Sequence, residues 1–228
     1  MDLNAIHKRS GDENVLKEVL VNGSYRKRNI DFDVEPGERW LDLGANIGAF
    51  ALYAREREAD EVICYEPEIE CFDLLEQNVP EFETIRAAVT VASRDSRIPF
   101  FVRPDSFSRG TVCNVPRFLV RGTVPNIWAG SLIDEEFDGI KMDIEGSEGP
   151  ILDDWLLPKC KKLVLEYHTS RDHSAANLGR RLEILKSKFK IVSYPPEYNR
   201  AVAMGGRIMT HPPNIIRFDR LIFCRNPL

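Results

Sequence analysis

No apolar run in this sequence approaches the roughly 18–20 residues of a membrane-spanning helix. Its first residues, MDLNAIHKRSGDENV, also lack the apolar stretch of a signal peptide. Cysteine is scarce. The five residues Cys64, Cys71, Cys113, Cys160 and Cys224 are an odd number without CxxC spacing, which points to neither a disulfide framework nor a zinc site. There is no internal repeat and no low-complexity tract. Positive charge is not in excess either: 31 Lys and Arg against 36 Asp and Glu leave a net charge of −5, which argues against non-specific binding to nucleic acid. The basic residues that are present gather toward the C-terminal third, where a solvated helix face at 178–190 accounts for them more simply than an anionic substrate does. What remains is a cytoplasmic, soluble chain of 228 residues, 43% hydrophobic, with enough apolar content for one generous core and no expected membrane association.

Short apolar strands alternate with amphipathic helices along the chain. Trp40–Gly44 follows the turn signal Pro36-Gly37 and reads as a first buried strand. Ala49–Ala59 is rich in helix formers, and Glu61–Glu66 is a second strand. Pro67 is placed to begin the next helix at its first position, with Ile69, Phe72, Leu75 and Val79 on the packing face. Ile85–Val91 is a third strand, Ile98–Val102 a short extra one, Phe137–Asp143 a fourth and Leu163–His168 a fifth. A helical stripe at Leu178, Leu182, Leu185 and Phe189 precedes two closing strands, Ile191–Tyr194 and Leu221–Cys224. Repeated βα units predict an α/β fold: a doubly wound, mainly parallel seven-stranded sheet. Residues 1–35 read as an N-terminal cap with a helix near Glu13–Val21, and 36–228 as a single domain. Two stretches, 103–130 and 195–217, read as long loops, either substrate-binding lids or surface excursions.

Three motifs carry chemistry. The first is Asp42-Leu43-Gly44-Ala45-Asn46-Ile47-Gly48, joining the first strand to its helix. Its glycines permit a sharp turn and close approach of a ligand. A nicotinamide-binding fingerprint reads GxGxxG around a pyrophosphate, whereas DxGxNxG with an acid in front suits a ligand bearing an ammonium group, such as S-adenosylmethionine. The second motif is Glu66, at the end of the second strand, spaced from Asp42 so that its carboxylate can accept from both ribose hydroxyls; the alternative is an acid capping the helix after Pro67. Ala87 and Ala88 are small where an adenine ring needs space, and core packing explains them equally well. The third motif is Lys141-Met142-Asp143-Ile144-Glu145-Gly146-Ser147-Glu148, at the C-terminal end of a buried strand, where open α/β sheets bind ligands. A lysine inside a sheet needs a partner, and Asp143 or Glu166 on the neighbouring strand is expected to supply it. A metal site on Asp143 and Glu145 has no histidine spacing in its favour, and no metal is expected.

WLDLGANIGAFALYA, CYEPEIECFDLLEQNV and DGIKMDIEGSEGPIL together resemble the FkbM-type methyltransferases, through a DxGANxG turn followed by a K-x-D-x-EG-x-E segment. The likeness runs from about Trp40 to His168. It implies a class I, S-adenosylmethionine-dependent O-methyltransferase that releases S-adenosylhomocysteine and acts on a sugar, glycan or secondary-metabolite hydroxyl. By motif position it implies cofactor contacts from Asp42, Gly44, Ala45, Asn46, Gly48, Glu66 and Pro67. Lys141, Asp143, Glu145 and Glu148 would then line or brace the reaction site.

Methyl transfer to an alcohol requires alignment of the acceptor oxygen and removal of its proton. His168, sharing a strand face with Glu166, and Asp143, beside the cofactor turn, are the competing bases. Tyr25 and Arg26 either fold over the cofactor or belong to a hairpin. Arg109, Tyr198, Arg207 and His211 are the acceptor contacts suggested by the long loops. The fourth strand is not followed by the Asn/Asp-Pro-Pro-Tyr/Phe segment of many amine and nucleobase methyltransferases, so the expected acceptor is a small molecule or glycan rather than nucleic acid. Two alternatives stay open: a cofactor-binding module without turnover, and a methyltransferase acting on an amine, protein or nucleic acid.

Overall fold

In the computed structural model the described residues are 2–92, 96–103, 106–112, 119–168, 175–195 and 221–226. Eleven strands are assigned: β1 Arg39–Leu43, β2 Glu61–Tyr65, β3 Glu83–Ile85, β4 Ala88–Thr90, β5 Arg97–Arg103, β6 Ser106–Thr111, β7 Leu119–Trp128, β8 Glu136–Met142, β9 Lys159–Glu166, β10 Ile191–Ser193 and β11 Leu221–Arg225. The α-helices are α1 Glu13–Leu16, α2 Ala49–Arg55, α3 Ile69–Asn78, α4 Glu148–Asp153 and α5 Ala175–Lys188. Seven strands form the main sheet in the order β10-β11-β9-β8-β1-β2-β3. The run from β9 to β3 is parallel, and β11 is antiparallel to both of its neighbours. The expected doubly wound, mainly parallel seven-stranded sheet is therefore present.

The two-residue period of the strands divides the core. Trp40, Val62, Cys64, Val164 and Phe223 face a layer made by α2 and the N-terminal segment, with Leu16, Val19, Phe32 and Phe50. Leu41, Ile140, Leu163 and Ile222 face the opposite layer, with Ile151 of α4 and Leu178, Leu182 and Leu185 of α5. Tyr25 joins the first layer edge-to-face with Phe50, at a ring separation of 5.4 Å.

The structure corrects four expectations. Ile85–Val91 is not one strand: Ile85 pairs with Tyr65 in the main sheet, whereas Ala88–Thr90 turns away to pair with Asn126–Trp128. A buried hydrogen bond of 2.7 Å from Thr90 Oγ1 to Asn126 Oδ1 holds that departure. The described part of 103–130 is not a loop. It contains β6 and β7, which with β4 and β5 make a second, four-stranded sheet in the order β4-β7-β5-β6. Its weak periodicity follows from register shifts in the β5 pairings with β6 and β7. Pro67 does not open the third helix. Glu68 is the N-cap, its carboxylate accepting from the Cys71 amide at 2.9 Å, so the helix begins after it. On that helix Ile69 is exposed and the packing face centres on Cys71, Leu75 and Val79. Tyr198, Arg207 and His211 lie outside the described residues, as does the side chain of Arg109.

Candidate functional site

The turn after β1 is shaped by one close approach. Gly44 has φ +80°, and a Cβ placed on it would lie 1.8 Å from the Asp143 carbonyl oxygen. Only glycine lets the first motif pack directly on the third. The amides of Gly44 and Ala45 both donate to the Tyr65 carbonyl at 2.9 Å, and the Asp143 amide donates to the Leu43 carbonyl at 2.9 Å. The ends of three adjacent strands, β2, β1 and β8, are thereby bound to one another at the C-terminal edge of the sheet.

Asp42 and Lys141 face each other in the parallel register of β1 and β8, so their side chains leave the same sheet face. Both are buried, and Lys141 Nζ lies 3.0 Å from Asp42 Oδ1. Lys141 Nζ also donates to the Gly44 carbonyl at 2.6 Å. The partner of Lys141 is therefore Asp42 and the turn itself, in place of the expected Asp143 or Glu166. Burial pulls the Lys141 pKa down, but the charges of Asp42 and Asp143 outweigh it and hold the ammonium above its usual value. Asp42 and Lys141 lie beneath the turn and support it. The cleft is lined by the residues above them.

That cleft, about 730 Å³ with its open mouth included, lies between the sheet edge, the start of α3 and the second sheet. Gly44, Asn46, Glu66, Pro67, Ala87, Ala88, Asp143 and Glu145 line it, as the motifs suggested; Ala45 and Gly48 shape the turn behind. Sequence reading missed Phe100, Val102, Gly110 and Thr111, the wall supplied by the second sheet. The alternation of Phe100 and Val102 along β5 was the available signal. Thr111 Oγ1 donates to the Glu145 carbonyl at 2.6 Å, which fastens this wall to the third motif.

At the cofactor end, Glu66 Oε2 accepts from the Asn46 amide and Oε1 from the Glu68 amide, each at 2.8 Å. The carboxylate is thus fixed at the cleft wall, with lone pairs remaining for a ligand. Burial raises its pKa to about 7, although the two amides and Lys141 oppose the shift. Asn46 is held at φ +53°, and its Oδ1 is buried without a hydrogen-bond partner. Asp143 Oδ1 is likewise buried without a hydrogen-bond partner. The two orphaned side-chain atoms on the described cleft wall are therefore both acceptors, which fits a ligand that brings hydroxyl donors and positive charge.

At the other end, His168 follows β9 and sits among four carboxylates. Its Nδ1 is 3.1 Å from Glu148 Oε1, and its Nε2 is 3.2 Å from Glu145, 3.5 Å from Glu166 and 3.9 Å from Asp143. Burial works against its charge. The Glu148 hydrogen bond and the charges of Glu148, Glu145 and Asp143 prevail, pushing the imidazole up to about 10. Glu148 is fully buried and also accepts from the amides of Ile144 and Gly146, at 3.2 and 3.0 Å. It is the brace of the third motif.

The sheet order and the cleft at its C-terminal edge define a Rossmann-like, doubly wound α/β fold. Residues 122–191 match the family model described as the methyltransferase FkbM domain. That stretch, less than a third of the chain, contains the Lys141–Glu148 segment and His168, and its match agrees with the resemblance read from the motifs. No curated protein matches the chain significantly. Solved structures similar to it include an S-adenosylmethionine-dependent O-methyltransferase from Thermotoga maritima, 14% identical, with 98% of this chain and 68% of that one covered and a TM-score of 0.46. A precorrin-6y C5,15-methyltransferase from Geobacter metallireducens is 13% identical, with 86% and 82% covered and a TM-score of 0.45. A tRNA (m1A58) methyltransferase from Aquifex aeolicus is 12% identical, with 98% and 73% covered and a TM-score of 0.45. Among the described residues no helix is long and apolar enough to cross a membrane.

Proposed function

We propose that the protein is an O-methyltransferase that methylates a hydroxyl of a sugar, glycan or secondary metabolite. The observation that carries this reading is a single cleft with the Glu66 carboxylate at one end and the Asp143–Glu145 segment at the other. S-Adenosylmethionine, when bound, supplies an electrophilic methyl group on a sulfonium. Glu66 is positioned to accept from the ribose hydroxyls, Asn46 Oδ1 to accept from the ammonium group, and Ala87 and Ala88 to leave room for the base. The Gly44 turn sets these groups against Asp143, so the acceptor end begins where the cofactor end stops.

At the acceptor end a carboxylate takes the hydroxyl proton as the new C–O bond forms. Asp143, whose backbone packs on the turn, is the base in this reading. His168 already carries its proton at neutral pH, so as it stands it orders the carboxylates rather than accepting a further proton.

Glu66 supplies a test of the cofactor end. Its carboxyl is protonated below about 7 and ionised above it, and only the ionised form accepts at both oxygens. S-Adenosylhomocysteine should bind the wild type more tightly at pH 8 than at pH 6. Glu66→Gln should weaken binding roughly 10–150-fold at pH 8 and flatten the pH profile. A profile unchanged by the substitution, measured by calorimetry, removes Glu66 from the ribose site.

The acceptor is tested with methyl-labelled S-adenosylmethionine offered alongside sugars, glycosides and polyketide alcohols, and separately alongside amines, peptides and RNA. Label recovered as a methyl ether supports the reading. Label recovered only on nitrogen or RNA overturns it in favour of the corresponding acceptor.

A further inference from the structure

We propose that Asp143, Glu145, Glu166 and His168 form a binding site for one divalent cation of the manganese type at the acceptor end of the cleft. The cation's catalytic use rests on the methyltransferase reading; its binding does not. Neighbouring parallel strands deliver the four residues: Asp143 and Glu145 follow β8, while Glu166 ends β9 and His168 lies just beyond it. One ligand atom from each of Asp143, Glu145 and His168 lies within 4.8 Å of the other two.

Three observations favour a cation over a simple ion-pair cluster. The first is spacing. Carboxylate oxygens stand 3.2, 3.5 and 3.9 Å from His168 Nε2. An octahedral ion with bonds of about 2.1–2.2 Å sets adjacent ligand atoms roughly 3 Å apart, so small side-chain adjustments close the set around one centre. The second is Asp143 Oδ1, buried at the cleft wall without a hydrogen-bond partner and 3.9 Å from His168 Nε2. The third is the orientation of the imidazole. Fully buried Glu148, itself anchored by the Ile144 and Gly146 amides, faces Nδ1 at 3.1 Å. A carboxylate there holds the proton on Nδ1, so that when a cation displaces the proton from Nε2 the freed lone pair faces Glu145, Glu166 and Asp143, the arrangement by which carboxylates orient metal-binding histidines.

The donor set names the class of ion. Carboxylates with one imidazole and no thiolate in the cluster suit manganese better than the softer copper, and the nitrogen disfavours calcium. Sequence spacing concealed the site because His168 reaches Asp143 only through the pairing of β8 with β9. Four protein ligands leave two octahedral positions open to oxygens from the cleft. A hydroxyl bound there has its pKa lowered. Its O–H bond breaks with the electron pair kept on oxygen, the proton passes to the Asp143 carboxylate oxygen that does not hold the cation, and the hydroxyl oxygen then attacks the methyl carbon. The S–C bond breaks at the same time, its electron pair staying on the departing sulfur.

The test uses the full chain, stripped with chelator and titrated with manganese(II) while electron paramagnetic resonance reads the free ion. One ion bound per chain is expected, with affinity lowered at least tenfold by Glu145→Gln and more by His168→Gln. Manganese that stays free at about 1 mM overturns the proposal, as does binding that neither substitution alters. S-Adenosylhomocysteine is titrated into the same stripped protein. If that ligand binds and manganese does not, the cation site alone falls. Binding of manganese without that ligand upholds the site and sinks the methyltransferase reading.

Discussion

Replacing Gly44 by alanine is expected to destabilise the protein by about 2–5 kcal/mol, and to abolish measurable binding of S-adenosylhomocysteine even where the fold survives. Two costs combine. The residue sits at φ +80°, where an L side chain is strained, and its Cβ would lie 1.8 Å from the Asp143 carbonyl oxygen. That neighbour is backbone, held by the Asp143 amide's bond to Leu43, so it has no rotamer through which to retreat. The ends of β1 and β8 must separate, and the cofactor and acceptor ends of the cleft separate with them. Gly48→Ala is the control. Its φ is +88°, but the nearest atom to a new Cβ is Leu75 Cδ1 at 3.0 Å, the far end of a flexible side chain. Thermal denaturation should show Gly44→Ala melting roughly 4–20 °C below the wild type, with Gly48→Ala clearly less affected. Equal effects from the two substitutions would show that backbone strain alone governs the turn.

The second large effect lies one layer deeper. Lys141→Met removes the ammonium that pairs with Asp42 and leaves a carboxylate with no exposed surface. Breaking a buried ion pair from one side costs about 3–5 kcal/mol, because the remaining charge keeps its desolvation penalty without its partner. The same change frees the Gly44 carbonyl, which Lys141 Nζ holds at 2.6 Å, so the turn should loosen and cofactor affinity should fall with stability. The double variant Lys141→Met with Asp42→Asn carries no buried charge and should recover about 1–3 kcal/mol of the loss. Urea denaturation of the four proteins completes the cycle. Additive losses would mean that the two groups do not interact, and that the turn is supported by other contacts.

Both predictions concern groups whose presence was legible in the sequence and whose partners were not. The Gly-rich turn, Glu66 at the end of the second strand and the acidic segment after the fourth were readable because each is a local pattern: an apolar burst, then a glycine or an acid at a fixed offset. The face of each strand was readable for the same reason, and the division of Trp40 from Leu41 between two cores follows the two-residue period directly. Asp42 and Lys141 are almost a hundred residues apart. Alternation correctly placed Lys141 inside the sheet, but only the β1–β8 register chose Asp42 over Asp143 as its partner.

By itself, then, the sequence determined the succession of strands and helices, the seven-stranded α/β class and the motifs that line the cleft, since these depend on interactions within a turn or a strand. Tertiary structure alone decided that Ile85–Val91 divides between two sheets, because the break is made by a distant partner, Asn126. It decided that residues read as a long loop form the wall carrying Thr111. It also decided that His168, already placed beside Glu166 by alternation, meets Asp143, Glu145 and Glu148, which no spacing along the chain encodes. Local periodicity reports which element a residue occupies and which way it faces. Charge pairing and cavity walls depend on which strands lie side by side, and burial of the whole apolar surface sets that order.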